Sequence, residues 1–229
     1  MRLKKTLLIS LLLGSIASQY AQAEVASPFA FNVGVVSDYR YRGLTQTNYK
    51  PAVQGGVDVT LSGGFYAGIW GSRITWLNPE AHLELDYYGG YKFSVNGADL
   101  DVGFLRYVYP QDTGTTNANT DEMYMAGTYK SLTIKFSQSN TNLFAVAGSK
   151  SSRYIDVSYG MDVGSGWTLT PHVGSQIVNN NKDLSYQDVS LTASKELAPG
   201  VTFSASTIST TLSGSTYNPG MVLGVKYAF

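Results

Sequence analysis

The stretch SDYRYRG, residues 37–43, concentrates charge in a chain that has little of it. Only 14% of the 229 residues are Asp, Glu, Lys or Arg, yet Asp38, Arg40 and Arg42 stand at alternate positions with tyrosines between them. Strict alternation is the pattern of a β-strand whose two faces have chemically different surroundings. Charges gathered on one face of such strands could set the ion and solute preference of an aqueous path.

Side chains able to do covalent chemistry are few. Histidine occurs twice, as His82 and His172, and neither is accompanied by a G-x-S-x-G nucleophile elbow. A hydrolase would bring Ser and His together in the folded chain, so the two histidines keep an enzyme open as an alternative. Cysteine is absent, and no His/Cys spacing indicates a zinc site. We therefore predict no catalytic residues, no metal and no cofactor.

The first 23 residues have the pattern of a cleaved secretory signal peptide. Arg2, Lys4 and Lys5 precede the apolar run TLLISLLLGSIAS, and AQA at 21–23 is a small-x-small cleavage site. The apolar run is too short to cross ~30 Å of hydrocarbon as a helix. Removing the signal leaves 13 basic and 16 acidic residues, so the exported domain, residues 24–229, would carry a net charge of −3. This balance does not favour a nucleic-acid partner.

Period-2 alternation runs through the rest of the chain and predicts an all-β fold. Short turns such as SGG at 62–64 alternate with longer connections such as QDTGTTNANT at 111–120. This rhythm is typical of an antiparallel up-and-down transmembrane β-barrel, here of about twelve strands. The predicted strands are 29–43, 52–61, 65–75, 81–93, 99–109, 121–130, 132–139, 153–163, 166–178, 184–196, 201–210 and 219–229.

Each predicted strand has one apolar face and one sparse polar face. A solvated outer surface is normally dense in Lys and Glu, whereas these polar faces hold Gly, Ser, Thr and single charges. We therefore predict that the apolar faces contact lipid and that the polar faces line a lumen. The predicted lumen-lining and selectivity residues are Asp38, Arg40, Arg42, Asp58, Glu84, Asp86, Lys92, Lys135, Asp156, Asp188 and Lys226.

Aromatic residues cluster near the ends of the predicted strands. Membrane barrels carry girdles of aromatic side chains at the two membrane interfaces, so we predict that these side chains point outward. The predicted girdle residues are Tyr39, Tyr41, Tyr66, Trp76, Tyr107, Trp167 and Tyr227.

The segment 99–109 does not fit a single register. Its apolar residues change faces halfway, with Phe104 on one face and Leu105 and Tyr107 on the other. A β-bulge near Gly103 would reconcile the two halves.

The last nine residues, MVLGVKYAF, end in an aromatic residue preceded by large residues at every second position. This resembles the terminal strand by which outer-membrane proteins of Gram-negative bacteria are recognised for assembly. The resemblance implies that Leu223, Val225, Tyr227 and Phe229 form a signal for the barrel-assembly machinery. It also implies a location in the bacterial outer membrane.

The N-terminal third, residues 33–72, resembles the TorF family of porin-like proteins. The motifs that carry this resemblance are SDYRYRG followed by Thr-Gln, then PAVQGG, then GFYAGIWGS. The resemblance implies an outer-membrane channel without an established solute, and it implies no catalytic residues.

These observations predict a porin-like channel for passive diffusion of small hydrophilic solutes or ions through a lumen of mixed charge, and not an enzyme. Its expected partners are outer-membrane lipid and the permeating solutes, and the sequence leaves an oligomer open. Two alternatives stay open. The barrel could be closed inside and act through its outer loops, as a structural or surface-interaction protein. Less favoured is the outer-membrane lipid-modifying enzyme.

Overall fold

A computed structural model describes residues 27–78, 80–114, 117–214 and 217–229, so the predicted signal peptide, 1–23, lies outside the described residues. In these ranges the chain forms single 3₁₀ turns at Ser62–Gly64 and Lys182–Leu184. A helix with the length and hydropathy of a membrane span does not occur in the described part of the chain. The strands are β1 (Phe29–Val36), β2 (Arg40–Tyr41), β3 (Leu44–Thr45), β4 (Ala52–Thr60), β5 (Phe65–Arg73), β6 (Leu83–Val95), β7 (Ala98–Val108), β8 (Thr120–Tyr129), β9 (Leu132–Ser139), β10 (Arg153–Tyr159), β11 (Met161–Gly164), β12 (Trp167–Ile177), β13 (Tyr186–Ala198), β14 (Val201–Thr210) and β15 (Gly220–Ala228).

The strands close into an antiparallel barrel, as the sequence predicts. β1 pairs with both β4 and β15, and β10 pairs with both β9 and β12, so the sheet has no free edge. The 13 strands of this sheet make twelve barrel strands, because β10 and β11 are consecutive segments separated only by Gly160. β2 and β3 form a separate hairpin. Closure pairs the backbone groups of each strand with its neighbours.

The connections alternate in length and confirm the predicted rhythm. Asn96 and Gly97, with φ angles of 51° and 81°, form the two-residue turn between β6 and β7, where both central residues need positive φ. Similar short turns lie at the same end of the barrel, which we call the short-turn end. At the opposite, long-loop end the connections are 37–51, 74–82, 109–119, 140–152, 178–185 and 211–219.

Large apolar side chains cover the outward face of the barrel. Phe31 and Val35 on β1 are 43% and 49% exposed, and Leu191 on β13 is 43% exposed. Residues directly opposite each other on paired strands share a face, and Phe31 lies opposite Val57 while Val35 lies opposite Val225. The two-faced strands predicted from the sequence are therefore confirmed, with the apolar set outward.

The prediction of one strand over 29–43 is wrong. β1 ends at Val36, and the chain then turns into the barrel and forms the hairpin β2–β3. The cause is local, because the Asp38 carboxylate accepts hydrogen bonds from the hydroxyls of Thr45 at 2.6 Å and Thr47 at 3.0 Å. Such side-chain bonding gives the backbone an alternative to continuing the ladder.

The predicted bulge near Gly103 is also wrong. β7 pairs with β6 and with β8 without a register shift. Leu105, Tyr107 and Tyr109 point inward and are buried, because the long-loop half of the lumen is filled with side chains. β7 therefore carries apolar residues on both faces, one set outside the barrel and one set in a core inside it.

Candidate functional site

A loop crosses the inside of the barrel near the long-loop end. Residues 37–51, here called the inserted loop, leave β1 and return to the adjacent strand β4. Arg42, at the tip of the hairpin β2–β3, contacts residues of β8, β10 and β12. These strands lie on the far side of the barrel from β1 in the strand order. The loop therefore spans the lumen.

The tip of the inserted loop also fits closely against the barrel wall at β13 and β14. Arg42 and Gly43 form the two-residue turn between β2 and β3 with φ angles of 46° and 82°, the signs that such a turn needs. A Cβ atom on Gly43 would lie 2.5 Å from Cγ2 of Thr210 on β14 and 2.8 Å from Cβ of Asp188 on β13. Glycine is therefore required there both for its φ angle and for its lack of a side chain.

The Arg42 guanidinium lies in a socket built by three barrel strands and its own loop. Nη2 donates to Oε2 of Glu122 and Nη1 donates to Oε1 of Gln176, each at 2.7 Å. Cζ lies 4.3 Å from the ring centre of Tyr154 and 4.8 Å from that of Tyr41. We call Glu122, Gln176, Tyr154 and Tyr41 the Arg42 socket. The side chains of Arg42 and Glu122 are 1% and 3% exposed, so this ion pair is almost dry.

Two tyrosines of the inserted loop, Tyr39 and Tyr41, pack into an aromatic core inside the barrel. The Tyr39 hydroxyl donates to Oε1 of Glu84 at 2.6 Å, and the Tyr41 hydroxyl lies 2.9 Å from that of Tyr107. Phe144, from the connection after β9, packs edge-on against both Tyr41 and Tyr107, with ring centres 5.4 Å and 5.1 Å apart. Edge-to-face pairs of this kind stabilise beyond their buried area. The loop is thus held at its tip and along its length.

Burial of the inward side chains changes along the barrel axis. Near the short turns Lys92 and Asp99 are exposed, and further in Asp101, Lys135 and Lys226 are half-buried. At the level of the inserted loop the inward side chains are buried. The lumen is therefore a vestibule at the short-turn end that ends against the inserted loop and the aromatic core.

A second polar cluster lies beside the socket. His172 Nε2 lies 3.0 Å from Oδ2 of Asp156, and its Nδ1 lies 3.6 Å from Oδ1 of Asp188. The Tyr154 hydroxyl donates to the Asp188 carboxylate at 3.1 Å, which links this cluster to the ring under Arg42. His82 lies outside the strands, on the connection before β6, so the two histidines do not share a site.

The strand-borne members of the predicted lumen set all lie on the inward face. They are Asp58, Glu84, Asp86, Lys92, Lys135, Asp156, Asp188 and Lys226. Asp38, Arg40 and Arg42 are also inside the barrel, but on the inserted loop instead of the wall. Arg40 Nε lies 2.5 Å from Oδ2 of Asp38, so this pair holds the loop together. Among the described residues, acidic and histidine side chains are not grouped in a way that could hold a metal ion.

Five of the predicted girdle aromatics point into the barrel, and the girdle prediction is wrong for them. They are Tyr39, Tyr41, Tyr66, Trp76 and Tyr107. The tyrosines turn inward because their hydroxyls find partners there, as when Tyr66 donates to Oδ1 of Asp101 at 2.7 Å. Trp76 packs edge-on against Tyr109 in the aromatic core, with ring centres 5.5 Å apart.

The other two girdle aromatics lie on the outward face at the short-turn end. Trp167 packs edge-on against Phe203, with ring centres 6.4 Å apart, and Tyr227 stacks on Phe229. The members of the proposed assembly signal also lie on the outward side of β15 and at its end, and all are exposed: Leu223, Val225, Tyr227 and Phe229. Their recognition by assembly machinery stays a prediction.

Three residues of the Arg42 socket were not identified from the sequence. They are Glu122 on the inward face of β8, Tyr154 on the inward face of β10 and Gln176 on the inward face of β12. The alternation could have placed each of them in the lumen. Their convergence could not be read from the sequence, because it depends on a loop that reaches them from the opposite wall.

Replacing Gly43 by Ala should displace the inserted loop. The positive φ angle alone costs an alanine ~1–2 kcal/mol, and the contact with Thr210 adds a steric cost of ~1–3 kcal/mol. We expect the free energy of unfolding, measured by urea titration in lipid vesicles, to fall by the sum of these amounts.

Gly63 is the matched control for this change. It has a φ angle of 75° in a short turn, and a Cβ atom there would meet nothing within 4 Å. Gly63→Ala should lose only ~1–2 kcal/mol of the free energy of unfolding. Equal losses in the two variants would contradict the tight fit of the loop tip.

Comparison with known proteins gives structural neighbours and a family. A KdgM porin superposes with a TM-score of 0.57 at 9% identity, covering 87% of this chain and 99% of that one. A KdgM porin in complex with disordered oligogalacturonate gives 0.57 at 7% identity, covering 88% and 98%. A NanC porin gives 0.55 at 11% identity, covering 87% and 98%. At these identities the likeness shows the fold, which is that of a porin barrel.

Comparison of the sequence with known proteins identifies a family. No curated protein matches the chain at a significant level. One family model matches residues 21–228, nearly the whole chain, and is described as a bacterial protein of unknown function. The chain therefore belongs to the Gcw_chp family of bacterial proteins.

Proposed function

We propose that the protein is a porin-like channel of the bacterial outer membrane, related to the TorF family, that passes small hydrophilic solutes or ions. The observation that carries this proposal is the division of the barrel into an apolar outside and a charged, tyrosine-rich inside. A water-soluble barrel would have the opposite arrangement, with its apolar residues inside. The porin fold of the structural neighbours supports the same function.

The outward face supports insertion in lipid. A broad, exposed apolar surface is unfavourable in water by ~25 cal/mol per Å², and soluble monomers rarely leave such large patches uncovered. Trp167 and Tyr227 lie at the short-turn end of this surface, where an interface girdle is expected. We further propose that the exposed residues at the end of β15 are recognised during assembly.

An arginine on the outward face should destabilise the barrel in a bilayer. Leu191 lies near the middle of β13 and points outward, and a charge near the bilayer midplane costs ~2–4 kcal/mol. We expect Leu191→Arg to lower the free energy of unfolding in vesicles by this amount. Ser194→Arg, on the inward face of the same strand, is the control and should lose less than ~1 kcal/mol. A reversed order would argue against lipid contact by this face.

The inserted loop limits the path and makes a small pore. Solutes entering the vestibule meet buried side chains at the loop, so the passage that is left must run along the loop or open when it moves. Purified protein in planar bilayers should show small ion currents. If both the native chain and a variant with a displaced loop stay electrically silent, the channel function is wrong.

One observation favours a second candidate, a closed structural barrel. The Arg42–Glu122 pair is almost completely buried, as expected for a permanent plug that braces two walls. This candidate predicts that displacing the loop destabilises the barrel without producing current. The lipid-modifying enzyme is not supported, because His172 faces the lumen between two carboxylates and does not face lipid.

A further inference from the structure

We propose that the Arg42 socket is a binding site for small solutes that carry a guanidinium group, and that Arg42 occupies it as a tethered competitor. This inference rests on the proposed channel function and names a class of solute that the channel recognises. It also gives the inserted loop a role, since a solute that takes the socket displaces the loop tip.

The socket has the chemistry of a guanidinium site. Glu122 supplies the negative charge, and Gln176 supplies a carbonyl oxygen that accepts a second N–H at 2.7 Å. The ring of Tyr154 lies 4.3 Å from the guanidinium carbon, within the ~6 Å range of a cation–π contact. A planar cation with several N–H donors matches this set, whereas a compact ammonium ion could use only part of it.

The surroundings of the socket favour a further cation. Oδ1 of Asp86 and Oδ1 of Asp156 are buried and have no hydrogen-bond partner among the described residues. Asp86 on β6 lies opposite Tyr107 on β7. Leu105, two residues before Tyr107 on the same face, lies opposite Glu122 on β8. The Asp86 carboxylate is therefore close to the socket. The carboxylates around the site belong to Glu122, Asp86, Asp156 and Asp188, and the cations near them are Arg42, Lys135 and, when protonated, His172. The carboxylates therefore outnumber the cations.

Arg42 does not use all of its hydrogen-bond donors in the socket. Arg42 lies on a two-residue turn with positive φ, and its Nε has no hydrogen-bond partner among the described residues. Its tether keeps it near the socket at a high effective concentration. A free solute therefore competes poorly with the native loop and well with a loop that lacks the arginine.

The experiment uses the full barrel with Arg42→Ala and guanidinium chloride at low millimolar concentration. Two readouts are taken, the ion current in planar bilayers and the thermal unfolding midpoint in detergent. We expect Arg42→Ala to carry more current than the native chain, and we expect guanidinium to lower this current and to raise the unfolding midpoint of the variant. Tetramethylammonium and sodium should need roughly tenfold higher concentrations for any similar effect, because they have no N–H groups to donate to Glu122 and Gln176.

A second variant keeps the proposal testable and separates it from the channel function. Arg42→Ala combined with Glu122→Gln should lose the response to guanidinium, and Arg42→Gln replaces Arg42→Ala if the alanine variant does not fold. A response that is the same for guanidinium, tetramethylammonium and sodium, or one that survives Glu122→Gln, would overturn the site. Absence of current in every variant, with guanidinium still raising the unfolding midpoint, would overturn the channel and keep the site.

Discussion

Arg42→Ala should raise the single-channel conductance several-fold. The substitution removes the side chain that joins the loop tip to the opposite wall, together with its bonds to Glu122 and Gln176. The loop would keep its contacts through Tyr39 and Tyr41 but lose the anchor that spans the lumen. Water would then reach Glu122, which is almost dry in the native protein. A continuous water path would connect the vestibule with the long-loop end.

Arg42→Ala should also lower the free energy of unfolding, and the size of this loss depends on how far water reaches Glu122. Removing one partner of a buried ion pair costs ~3–5 kcal/mol when the other charge stays dry. We expect a smaller loss in the free energy of unfolding, because the opened lumen lets water solvate Glu122. Arg42→Lys should be intermediate in conductance, since an ammonium group cannot make the same fork of bonds.

Arg153→Ala is the matched control for this prediction. Arg153 lies at the long-loop end of β10, one residue from Tyr154, but its side chain is exposed on the outward face. We expect the conductance of Arg153→Ala to match that of the native chain. Equal conductance in Arg42→Ala and Arg153→Ala would show that the Arg42 anchor does not limit the path.

The channel should prefer cations. The inward carboxylates outnumber the inward cations. The carboxylates are Asp38, Asp58, Glu84, Asp86, Asp99, Asp101, Glu122, Asp156 and Asp188, and the cations are Arg40, Arg42, Lys92, Lys135 and Lys226. Charges lining a narrow path set its ion preference. We expect reversal potentials in a potassium chloride gradient to indicate cation selectivity at low ionic strength, with less selectivity at 1 M salt, where the Debye length is only ~3 Å.

Asp101→Asn tests this preference at one position. Asp101 is half-buried on the inward face of β7 in the vestibule. One charge acting across a few ångströms of water contributes ~0.5–1 kcal/mol, so the cation-to-anion permeability ratio should fall roughly two- to fivefold. Asp121→Asn on the outward face of β8, where Asp121 pairs with Arg106 at 3.3 Å, should leave the ratio unchanged. A shift of equal size in both variants would mean that the lumen charges do not determine selectivity.

The barrel itself could be predicted from the sequence, and the reason is periodicity. A strand between lipid and a polar interior alternates along its whole length, so twelve strands, their faces and the long and short connections follow from the pattern. Asp58 and Lys226, for example, face inward as their positions predict. Alternation is a property of each strand alone, and no knowledge of the neighbours is needed to read it.

The inserted loop could not be predicted, because alternation continues through it. Asp38, Arg40 and Arg42 keep the period of β1, yet the chain leaves the wall at Val36. The local signals are Asp38 followed by Thr45 and Thr47, which bond to it, and the glycine after Arg42, which permits the turn.

The apolar residues on both faces of segment 99–109 are a second sequence feature that reflects the packed interior of the barrel. Apolar residues on both faces suggested a bulge, whereas Leu105 and Tyr107 are inward because the loop gives them a core to pack against. Sequence alone could not distinguish these two explanations, because the core that β7 faces is built by residues from other strands and loops.

If the inserted loop controls an aqueous path through the barrel, a reversible crosslink of the loop tip should switch the ion current on and off. The chain has no cysteine, and a Cβ atom at position 43 would lie 2.8 Å from Cβ of Asp188, closer than the ~3.5–4.5 Å separation of a disulfide. A shift of the tip by roughly 1 Å away from β13 therefore allows the bond. In Gly43→Cys combined with Asp188→Cys, the new side chain at position 43 displaces the tip when the protein is reduced, as an alanine would, and the disulfide holds the tip close to β13 when the protein is oxidised. Each single variant serves as a control. We expect a low bilayer current in the oxidised protein that rises several-fold on adding a reductant and falls again on reoxidation. A current that does not change between the two redox states, with the disulfide verified, would show that the loop does not control the path.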